Sequence, residues 1–387
     1  MKGFTYYTPT KVVFGVGAAA RVGGEVQALG CKKVLIHYGS GSVVRSGLLD
    51  KVKASLDEQG IAWVELGGVV PNPHLSKARE GIELCRAEGV DFLLAVGGGS
   101  VIDSCKCIGY GVANDGDVWD FYEGKRTPGA CLPIGCVLTI AAAGSEMSNS
   151  SVITNTDGWL KRDCSSNLSR PVFSILDPEL TLTLPDYQTA CGCVDIMMHT
   201  MERYLNGVEE NMDLTDGIAE ALMRTVVNNA RILAADPGNI KARSEIMWAG
   251  SLAHNDLTGC GGEGDWCTHL LEHEMGGMFD VAHGAGLAAI WASWARYVWT
   301  YAPARFVKFA VNVMGVTPCD DAAETVAAGI AAVEQFYRDI QMPTNMRELG
   351  IAPTPEQIAE MADKCVAVGS VKKLTKEDMI AIYNMAL

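Results

Sequence analysis

Short apolar runs alternate with amphipathic stretches along the first half of the chain. Runs at residues 34–38, 61–66 and 91–96 each lead into a glycine-containing segment. Between them, residues 48–59 and 77–88 carry apolar side chains at helical spacing. A succession of strand, glycine turn, helix and strand is typical of βαβ units, so we expect a parallel sheet in this half.

The hydrophobic pattern changes to a helical period in the second half. The stretches with this period are residues 190–205, 215–233, 241–257, 266–279 and 322–340. Runs of β-branched residues are scarce there, and Pro178 and Pro185 flank the change. We therefore predict an α/β domain over residues 1–183 and an all-helical domain over residues 184–387.

The composition and net charge of the chain exclude some classes of protein and make some classes of binding partner unfavourable. The 387 residues are 48% hydrophobic and 20% charged, which is enough to bury a large core and excludes a disordered chain. Acidic residues exceed basic ones by 46 to 31, for a formal charge of −15. A negative chain without a basic run repels phosphate backbones and anionic lipids, so we expect no nucleic-acid partner and no membrane partner.

The N-terminal residues and the cysteines of the chain bear on the cellular compartment in which the protein is expected. The first residues, MKGFTYYTPTKVVFG, contain no apolar segment of the kind found in secretory signals. The longest uncharged stretch, residues 127–145, contains glycine and proline and is predicted to be strand and loop. Thirteen cysteines without a CxxC pair indicate a reducing environment and no structural zinc knot. We expect a cytoplasmic protein.

The first glycine loop has the composition of a phosphate-binding turn. Residues 96–103, Val-Gly-Gly-Gly-Ser-Val-Ile-Asp, follow a predicted strand and open a helix. Glycine lets a pyrophosphate approach the backbone, and the helix N-terminus offers free N–H groups. Ile102 stands at the third glycine position of GxGxxG, so a tight βα turn without a ligand is the alternative. The candidate cofactor contacts are Gly97, Gly98, Gly99, Ser100 and Asp103.

The second glycine loop, Tyr38-Gly-Ser-Gly-Ser42, follows another predicted strand. In dinucleotide sites an acidic residue here binds the ribose 2′-hydroxyl of NAD. This loop offers hydroxyl groups and backbone donors but no carboxylate, a chemistry that tolerates a 2′-phosphate. We predict contacts from Gly39 and Ser42 and a preference for NADP(H), with NAD(H) also accepted.

Four of the seven histidines form a set with one aspartate. Asp195 and His199 are four residues apart, as are His269 and His273, so each pair projects from one helix face; His283 follows after a bend. Carboxylate and imidazole groups are ligands of divalent transition metals in sites that keep a position open for substrate. Five candidates exceed the usual four, so we expect one of them to carry a proton instead.

Other interpretations of this set remain open. Asp195 and His199 alone would also suit an ion pair on a helix surface. Rival ligands are Glu202, Cys191 and Cys193, although close packing is favoured for the two cysteines because thiolates prefer closed structural sites. Glu272 and Glu274 are interpreted as solvated or as partners of the ligands. His37, His74 and His254 are interpreted as ordinary histidines.

Five motifs occur in an order that resembles a known family. They are residues 97–103, Gly144-Ser-Glu-Met147, residues 192–199, residues 265–273 and His283-Gly284. This ordered set is similar to that of the iron-containing (group III) alcohol dehydrogenases, above all their butanol-dehydrogenase-like, NADPH-dependent aldehyde reductase branch. The resemblance runs from about residue 4 to the C-terminus. It implies a Rossmann-like dinucleotide-binding domain followed by an all-helical domain, the dehydroquinate-synthase-like architecture, and a homodimer.

The resemblance also implies roles for individual residues. The implied ligands of one Fe²⁺ or Zn²⁺ ion are Asp195, His199, His269 and His283, with His273 beside the nicotinamide. The further cofactor contacts that it implies are Asn72, Thr139, Lys161 and Leu180. Ala143 stands where the family has a threonine, and Cys193 replaces a smaller residue beside the metal helix. The implied reaction is hydride transfer between NAD(P)(H) and a small primary alcohol or aldehyde.

Two other functions share this architecture. A metal-dependent lyase or synthase of the dehydroquinate-synthase type would need basic residues around a substrate phosphate, and Arg203 and Arg224 are the nearest candidates. A nucleotide-binding protein without catalytic activity is the second alternative, and the intact set of ligand residues argues against it.

Overall fold

A computed structural model describes residues 1–208, 211–366 and 368–387. The chain divides into two compact units: Thr8–Thr183, and Leu184–Leu387 together with Met1–Tyr7. The first seven residues thus group with the helical unit, whereas the predicted boundary placed them in the α/β domain. The backbone N–H of Lys2 donates to the carbonyl oxygen of Gly261 (3.0 Å), a contact between distant parts of the chain that periodicity does not reveal.

The α/β unit is built on a six-stranded parallel sheet. Its strands are β1 (Lys11–Phe14), β2 (Lys33–Gly39), β3 (Ala62–Val69), β4 (Phe92–Gly97), β5 (Ile134–Leu138) and β8 (Phe173–Leu176). Their order across the sheet is β1-β8-β5-β4-β2-β3, and every neighbouring pair is parallel. β4 and β5 are buried along their whole length, which explains their uninterrupted apolar sequences. The predicted parallel sheet is confirmed.

Helices and a hairpin complete this unit. The helices are α1 (Val22–Gln27), α2 (Ser42–Arg45), α3 (Leu48–Asp57), α4 (Leu75–Glu88), α5 (Gly99–Ala113) and α6 (Trp119–Tyr122), and the antiparallel hairpin is β6 (Ser150–Asn155) with β7 (Leu160–Ser165). Apolar side chains of α1 and α3 form one core with those of β2 and β4. Because the six strands are parallel, the loops after them lie at one edge of the sheet.

The second unit contains no strand among its described residues. Its helices are α7 (Asp186–Tyr204), α8 (Asp213–Ala235), α9 (Ile240–Ala253), α10 (Cys267–Phe279), α11 (His283–Val298), α12 (Pro303–Asn312), α13 (Ala322–Asp339), α14 (Met346–Leu349), α15 (Pro355–Lys364) and α16 (Lys376–Met385). Thr354 and Thr375 begin α15 and α16 with capping boxes. Within the described ranges, no helix has the length and apolar character needed to cross a bilayer.

Several helices differ from the prediction, and for two of them the structure shows the physical reason. The helix predicted over residues 241–257 ends at Ala253, since Asp256 adopts a left-handed conformation (φ 73°) in the following turn. There the side chain of Asn255 accepts a hydrogen bond from the N–H of Leu257 (3.1 Å). α11 was not predicted as a helix. Residues 284–295 are all buried, so the sequence has no polar face to reveal the period.

A buried lysine joins α5 to the segment that precedes the hairpin. The Nζ atom of Lys106 donates to the carbonyl oxygens of Ser145 (2.8 Å), Ser148 (3.1 Å) and Ser150 (2.6 Å). It also lies 2.9 Å from the hydroxyl of Ser145. Lys106 is fully buried, so these oxygens replace the water that its ammonium group would otherwise bind.

We expect Lys106→Met to lower the free energy of unfolding of the protein by about 3 kcal/mol, because it leaves buried carbonyl groups without donors. Urea unfolding followed by circular dichroism measures this. Lys51→Met, on the exposed surface of α3, is the matched control and should change stability by less than about 0.5 kcal/mol. Equal stability of the two variants would contradict the role assigned to Lys106.

Candidate metal centre and cofactor-binding edge

The helix α7 carries the first two candidate ligands one turn apart. Asp195 and His199 are buried, with 4% and 5% of their surfaces exposed. The Nδ1 atom of His199 lies 3.0 Å from Oδ1 of Asp195 and 2.9 Å from the carbonyl oxygen of the same residue. The pair therefore lies in the interior of the helical unit, and the interpretation as a surface ion pair is wrong.

Two further imidazoles approach the same carboxylate oxygen. The Nε2 atom of His269, on α10, lies 3.7 Å from Oδ1 of Asp195. The Nε2 atom of His283, the first residue of α11, lies 3.8 Å from that oxygen. The rings of His199 and His269 are 4.4 Å apart between centroids, and those of His269 and His283 are 5.3 Å apart. The structure thus brings together four of the five predicted residues around one point.

A close approach of α11 to α7 positions His283. A Cβ atom at Gly284 would lie 2.1 Å from the carbonyl oxygen of Cys191, a distance that real atoms do not reach. Any side chain at residue 284 would therefore push the first turn of α11 away from α7 and move His283 away from Asp195.

Two buried glutamates orient the histidines. Glu202 accepts a hydrogen bond from Nδ1 of His269, and Glu272 contacts Nδ1 of His283. Both glutamates are completely buried. A carboxylate on Nδ1 fixes the tautomer and leaves the Nε2 lone pair for a metal ion. The Nε2 atom of His269 is buried and makes no hydrogen bond within the described structure, so the donor set fits a cation.

The electrostatics of the cluster match this donor set. Burial alone would raise the pKa of Asp195, but the nearby His199 and His283 outweigh it and hold that pKa well below its usual value. Burial lowers the pKa of His199 to about 4, against the opposing influence of Asp195. For His269, burial lowers the pKa, but Glu202 and Asp195 dominate and raise it to about 9. A metal ion must therefore displace a proton from His269.

His273 lies one turn after His269, at the side of the cluster. Its ring centroid is 5.8 Å from that of His283 and 6.5 Å from that of His269. Ligand atoms of Glu272, His273 and His283 also lie within 4.8 Å of one another. The fifth predicted residue therefore belongs to the same region, and His283 is common to both groups.

Two neighbours of the cluster were missed in the sequence. The ring of His254 packs edge-on against that of His199, with centroids 4.1 Å apart. The ring of Trp266 lies 5.6 Å from that of His269 and under the guanidinium group of Arg203, at 4.5 Å. His254 follows the end of α9 and Trp266 precedes α10, and their ring contacts join separate elements, which spacing along the chain does not reveal.

The rival cysteine ligands lie elsewhere. Among the described residues, neither Cys191 nor Cys193 belongs to a group with metal-ligand spacing. The Sγ atom of Cys191 contacts Sδ of Met342 (3.9 Å). Burial raises the pKa of Cys193 to about 12, so its thiol is neutral at physiological pH. Both cysteines therefore have a packing role, as predicted from the sequence, and not the role of a metal ligand.

Most predicted cofactor contacts lie at the carboxyl edge of the sheet in the α/β unit. Gly39 ends β2, Asn72 follows β3, Gly97 ends β4, Thr139 follows β5 and Leu180 follows β8. Ser42, the last residue of the second glycine loop, begins α2, and Ser100 lies in the first turn of α5. Open parallel sheets bind ligands at this edge.

The first glycine loop presents the N-terminus of α5 without a side-chain cap. Gly98 is the N-cap residue and makes no capping hydrogen bond. A Cβ atom there would lie 2.1 Å from Cγ2 of Ile140, and the N–H of Thr139 donates to the carbonyl oxygen of Gly97 (3.1 Å). The turn is thus pressed against the end of β5, and the first N–H groups of α5 remain suited to an anion.

Two predicted cofactor contacts lie away from the strand ends. Both carboxylate oxygens of Asp103 accept hydrogen bonds from protein groups, the hydroxyl of Ser145 (2.5 Å) and the N–H of Val152 (3.0 Å). Asp103 therefore joins α5 to β6. Lys161, in β7, pairs with Thr154, whose N–H donates to the carbonyl oxygen of Pro73 (2.9 Å). The hairpin thus brings Lys161 close to the segment that contains Asn72.

Comparison with known protein families shows which family the chain is related to. The family model "Iron-containing alcohol dehydrogenase" matches residues 9–178, and "Fe-containing alcohol dehydrogenase family, C-terminal" matches residues 189–387. The chain belongs to the iron-containing alcohol dehydrogenase family. The predicted family and fold are confirmed.

Relatives of this alcohol dehydrogenase cover its whole length. It is 41% identical to a probable NADH-dependent butanol dehydrogenase of Bacillus subtilis, over 100% of both chains. It is 36% identical to an NADPH-dependent aldehyde reductase of Escherichia coli, over 91% of this chain and 90% of the relative. The crystal structure of an NADH-dependent butanol dehydrogenase from Thermotoga maritima superposes with a TM-score of 0.95, at 36% identity, over 100% and 99% of the chains.

The family membership establishes the class of reaction. The protein is an oxidoreductase of the alcohol dehydrogenase type, which uses a nicotinamide cofactor and a metal ion and acts on small alcohols or aldehydes. The relatives therefore favour the oxidoreductase over the lyase and over the protein without catalytic activity.

We expect Glu202→Gln to weaken the binding of Fe²⁺ or Zn²⁺ by about 10- to 100-fold, because the neutral amide no longer polarises the imidazole of His269. Competition with a chromogenic chelator measures the affinity. Glu245→Gln, at an exposed site on α9, is the matched control and should leave it unchanged. If Glu202→Gln binds the metal ion as tightly as the wild-type protein does, Glu202 does not contribute to metal binding.

Proposed function

We propose that this alcohol dehydrogenase transfers a hydride reversibly between NAD(P)(H) and a primary alcohol and its aldehyde, with NADPH-dependent aldehyde reduction as the preferred direction. The observation that carries the proposal is the convergence of three imidazoles on the carboxylate of Asp195, with Nε2 of His269 and His283 directed at it. The reaction also needs a binding site for the cofactor. The first glycine loop of the α/β unit, at the N-terminus of α5, is suited to the pyrophosphate of that cofactor.

Asp195, His199, His269 and His283 would hold the metal ion, Fe²⁺ or Zn²⁺. One carboxylate and three imidazoles leave a divalent ion with a net positive charge and a free position for an oxygen ligand. When bound, the metal supplies Lewis-acid polarisation of the substrate oxygen, and the nicotinamide gives or takes the hydride. Glu202 and Glu272 keep the imidazoles of His269 and His283 in the required tautomer.

His273 is the proton carrier in this proposal. It lies within the cluster region, beside the ring of His283 and close to Glu272. An imidazole held there, largely shielded from solvent, can exchange a proton with the substrate oxygen directly or through water.

The substrates are proposed to be unbranched primary alcohols and aldehydes. The Bacillus relative is a probable butanol dehydrogenase, and the E. coli relative is an aldehyde reductase. We further propose a homodimer. Phe4, Tyr6 and Tyr7 are exposed in the segment that precedes β1 in the chain, and clustered exposed aromatic side chains favour association.

Removal of single imidazoles tests the assignment of roles. His269→Ala should lose both bound metal and aldehyde reduction, because it removes a ligand. His273→Ala should keep the metal and lose about 10²–10⁴-fold in kcat, because it removes only proton transfer. Metal analysis of the purified variants and NADPH oxidation with an aldehyde panel give the two readouts. Turnover by a metal-free His269→Ala enzyme, or loss of metal from His273→Ala, would contradict the roles proposed.

A substitution in the second glycine loop tests the cofactor preference. A Cβ atom at Gly39 would lie 3.5 Å from the carbonyl oxygen of Val69, an ordinary contact, so a side chain fits there. Gly39→Asp should lower kcat/KM for NADPH and favour NADH, because a carboxylate repels the 2′-phosphate and accepts a bond from a 2′-hydroxyl.

Gly39→Asn has the same size without the charge and is the matched control. It should change the NADPH to NADH ratio far less than Gly39→Asp does. A wild-type enzyme that prefers NADH would refute the preference for NADP(H). Equal ratios in the two variants would refute the role of Gly39 in that preference.

A further inference from the structure

A cavity lies within the helical unit, apart from the histidine cluster. It has a volume of about 90 Å³ and is lined by residues of α7, α8, α9 and the segment after α13. The lining residues are Asp186, Tyr187, Thr189, Ala190, Cys193, Ala230, Leu233, Ala234, Arg243, Ile340, Gln341 and Met342. None of the four proposed metal ligands is among them, so the cavity is a separate site.

A buried guanidinium group in the wall of the cavity makes no ion pair with the described residues, although the carboxylate of Asp186 acts on it from a longer distance. Arg243 is only 3% exposed. Its Nε atom donates to the carbonyl oxygen of Pro237 (2.7 Å), while its Nη2 atom is buried without a hydrogen-bond partner in the described structure. Among the described residues, no carboxylate lies within ion-pair distance of it. A buried cation of this kind is costly unless an anion accompanies it.

A hydroxyl group adds a second donor to the same cavity. The Oγ1 atom of Thr189, in the first turn of α7, is also buried without a hydrogen-bond partner in the described structure. Pro185 precedes α7 and provides no side-chain cap, so the positive end of this 19-residue helix adds to the potential. Guanidinium and hydroxyl donors that line one cavity suit the oxygens of a carboxylate.

The rest of the wall is mostly apolar. Ala190, Ala230, Leu233, Ile340 and Met342 line it with methyl, methylene and thioether groups. One water needs about 10–15 Å³ of such space, so the volume admits a small organic group rather than a single ion. The cavity therefore offers an anion-binding end and an apolar wall.

We propose that this cavity binds a short aliphatic monocarboxylate, with its carboxylate on Arg243 and Thr189 and its alkyl chain against Leu233 and Ile340. The exposed carboxylate of Asp186 at the rim disfavours anions of higher charge, such as phosphate. Cys193 adds no negative charge to the wall because its thiol is neutral.

The location of the ligand can be tested by crystallography of the metal-loaded enzyme with 4-bromobutanoate. We expect an anomalous bromine peak beside Leu233 and Met342, and a carboxylate within hydrogen-bond distance of Arg243. Bromine at the histidine cluster alone, or in neither site at a concentration that saturates binding in solution, would overturn the proposal.

The chemistry of recognition can be tested by calorimetry with butanoate. Thr189→Val keeps the shape of the side chain and removes the hydroxyl, so we expect about tenfold weaker binding. Arg243→Met should abolish it. Asp186→Asn removes a repulsive charge and should strengthen binding, an effect that a purely structural role would not produce.

Two further measurements keep the test independent of folding defects. Ala234→Phe places a large side chain at an exposed position that lines the cavity and should block binding without changing the core. Among the ligands, affinity should rise about fourfold per methylene from acetate to butanoate, and neutral butanamide should bind far more weakly. Equal affinity for butanamide or inorganic phosphate, or unchanged binding in both Thr189→Val and Ala234→Phe, would refute the site.

Discussion

The helical unit depends on one electrostatic arrangement, the burial of the Asp195 carboxylate among three imidazoles. An ionised carboxylate in a protein interior is tolerated only with opposite charge or donors around it. Here the neighbours come from α7 itself, from α10 and from the first turn of α11. Packing of these three helices is therefore inseparable from the chemistry of the cluster, and Gly284 is the point at which close packing is most demanding.

The two buried glutamates, Glu202 and Glu272, fix the orientation of the histidine rings in this cluster. Each holds the Nδ1 side of one histidine, which directs the Nε2 side towards Asp195. Glu202 also accepts the backbone N–H of Thr268 at the start of α10 (2.6 Å), so one side chain sets both the helix position and the ring orientation. Ring orientation is thus determined outside the set of proposed ligands.

The candidate site of the α/β unit is formed mainly by backbone groups, whereas that of the helical unit is formed by side chains. These backbone groups lie at the ends of parallel strands and at the start of α5. The side chains of the buried Lys106 and the half-buried Asp103 hold the surrounding segments in place. α7 likewise separates two tasks along its length. Its first turns line the cavity proposed to bind a monocarboxylate, and the following turns carry Asp195 and His199.

The sequence by itself determined the parallel sheet, the two glycine loops and the two i, i+4 pairs, because each is a local pattern set by the geometry of a strand, a turn or a helix. It did not determine that Glu202 would contact His269, that His254 would pack on His199, or that Arg243 would lie in a cavity wall without an ion pair to any described residue. Glu202 and His269 are 67 residues apart, and α11 shows no periodicity because it is buried on all sides. Only the tertiary structure decided these contacts, since they depend on how separate helices pack and not on the spacing of residues within any one of them.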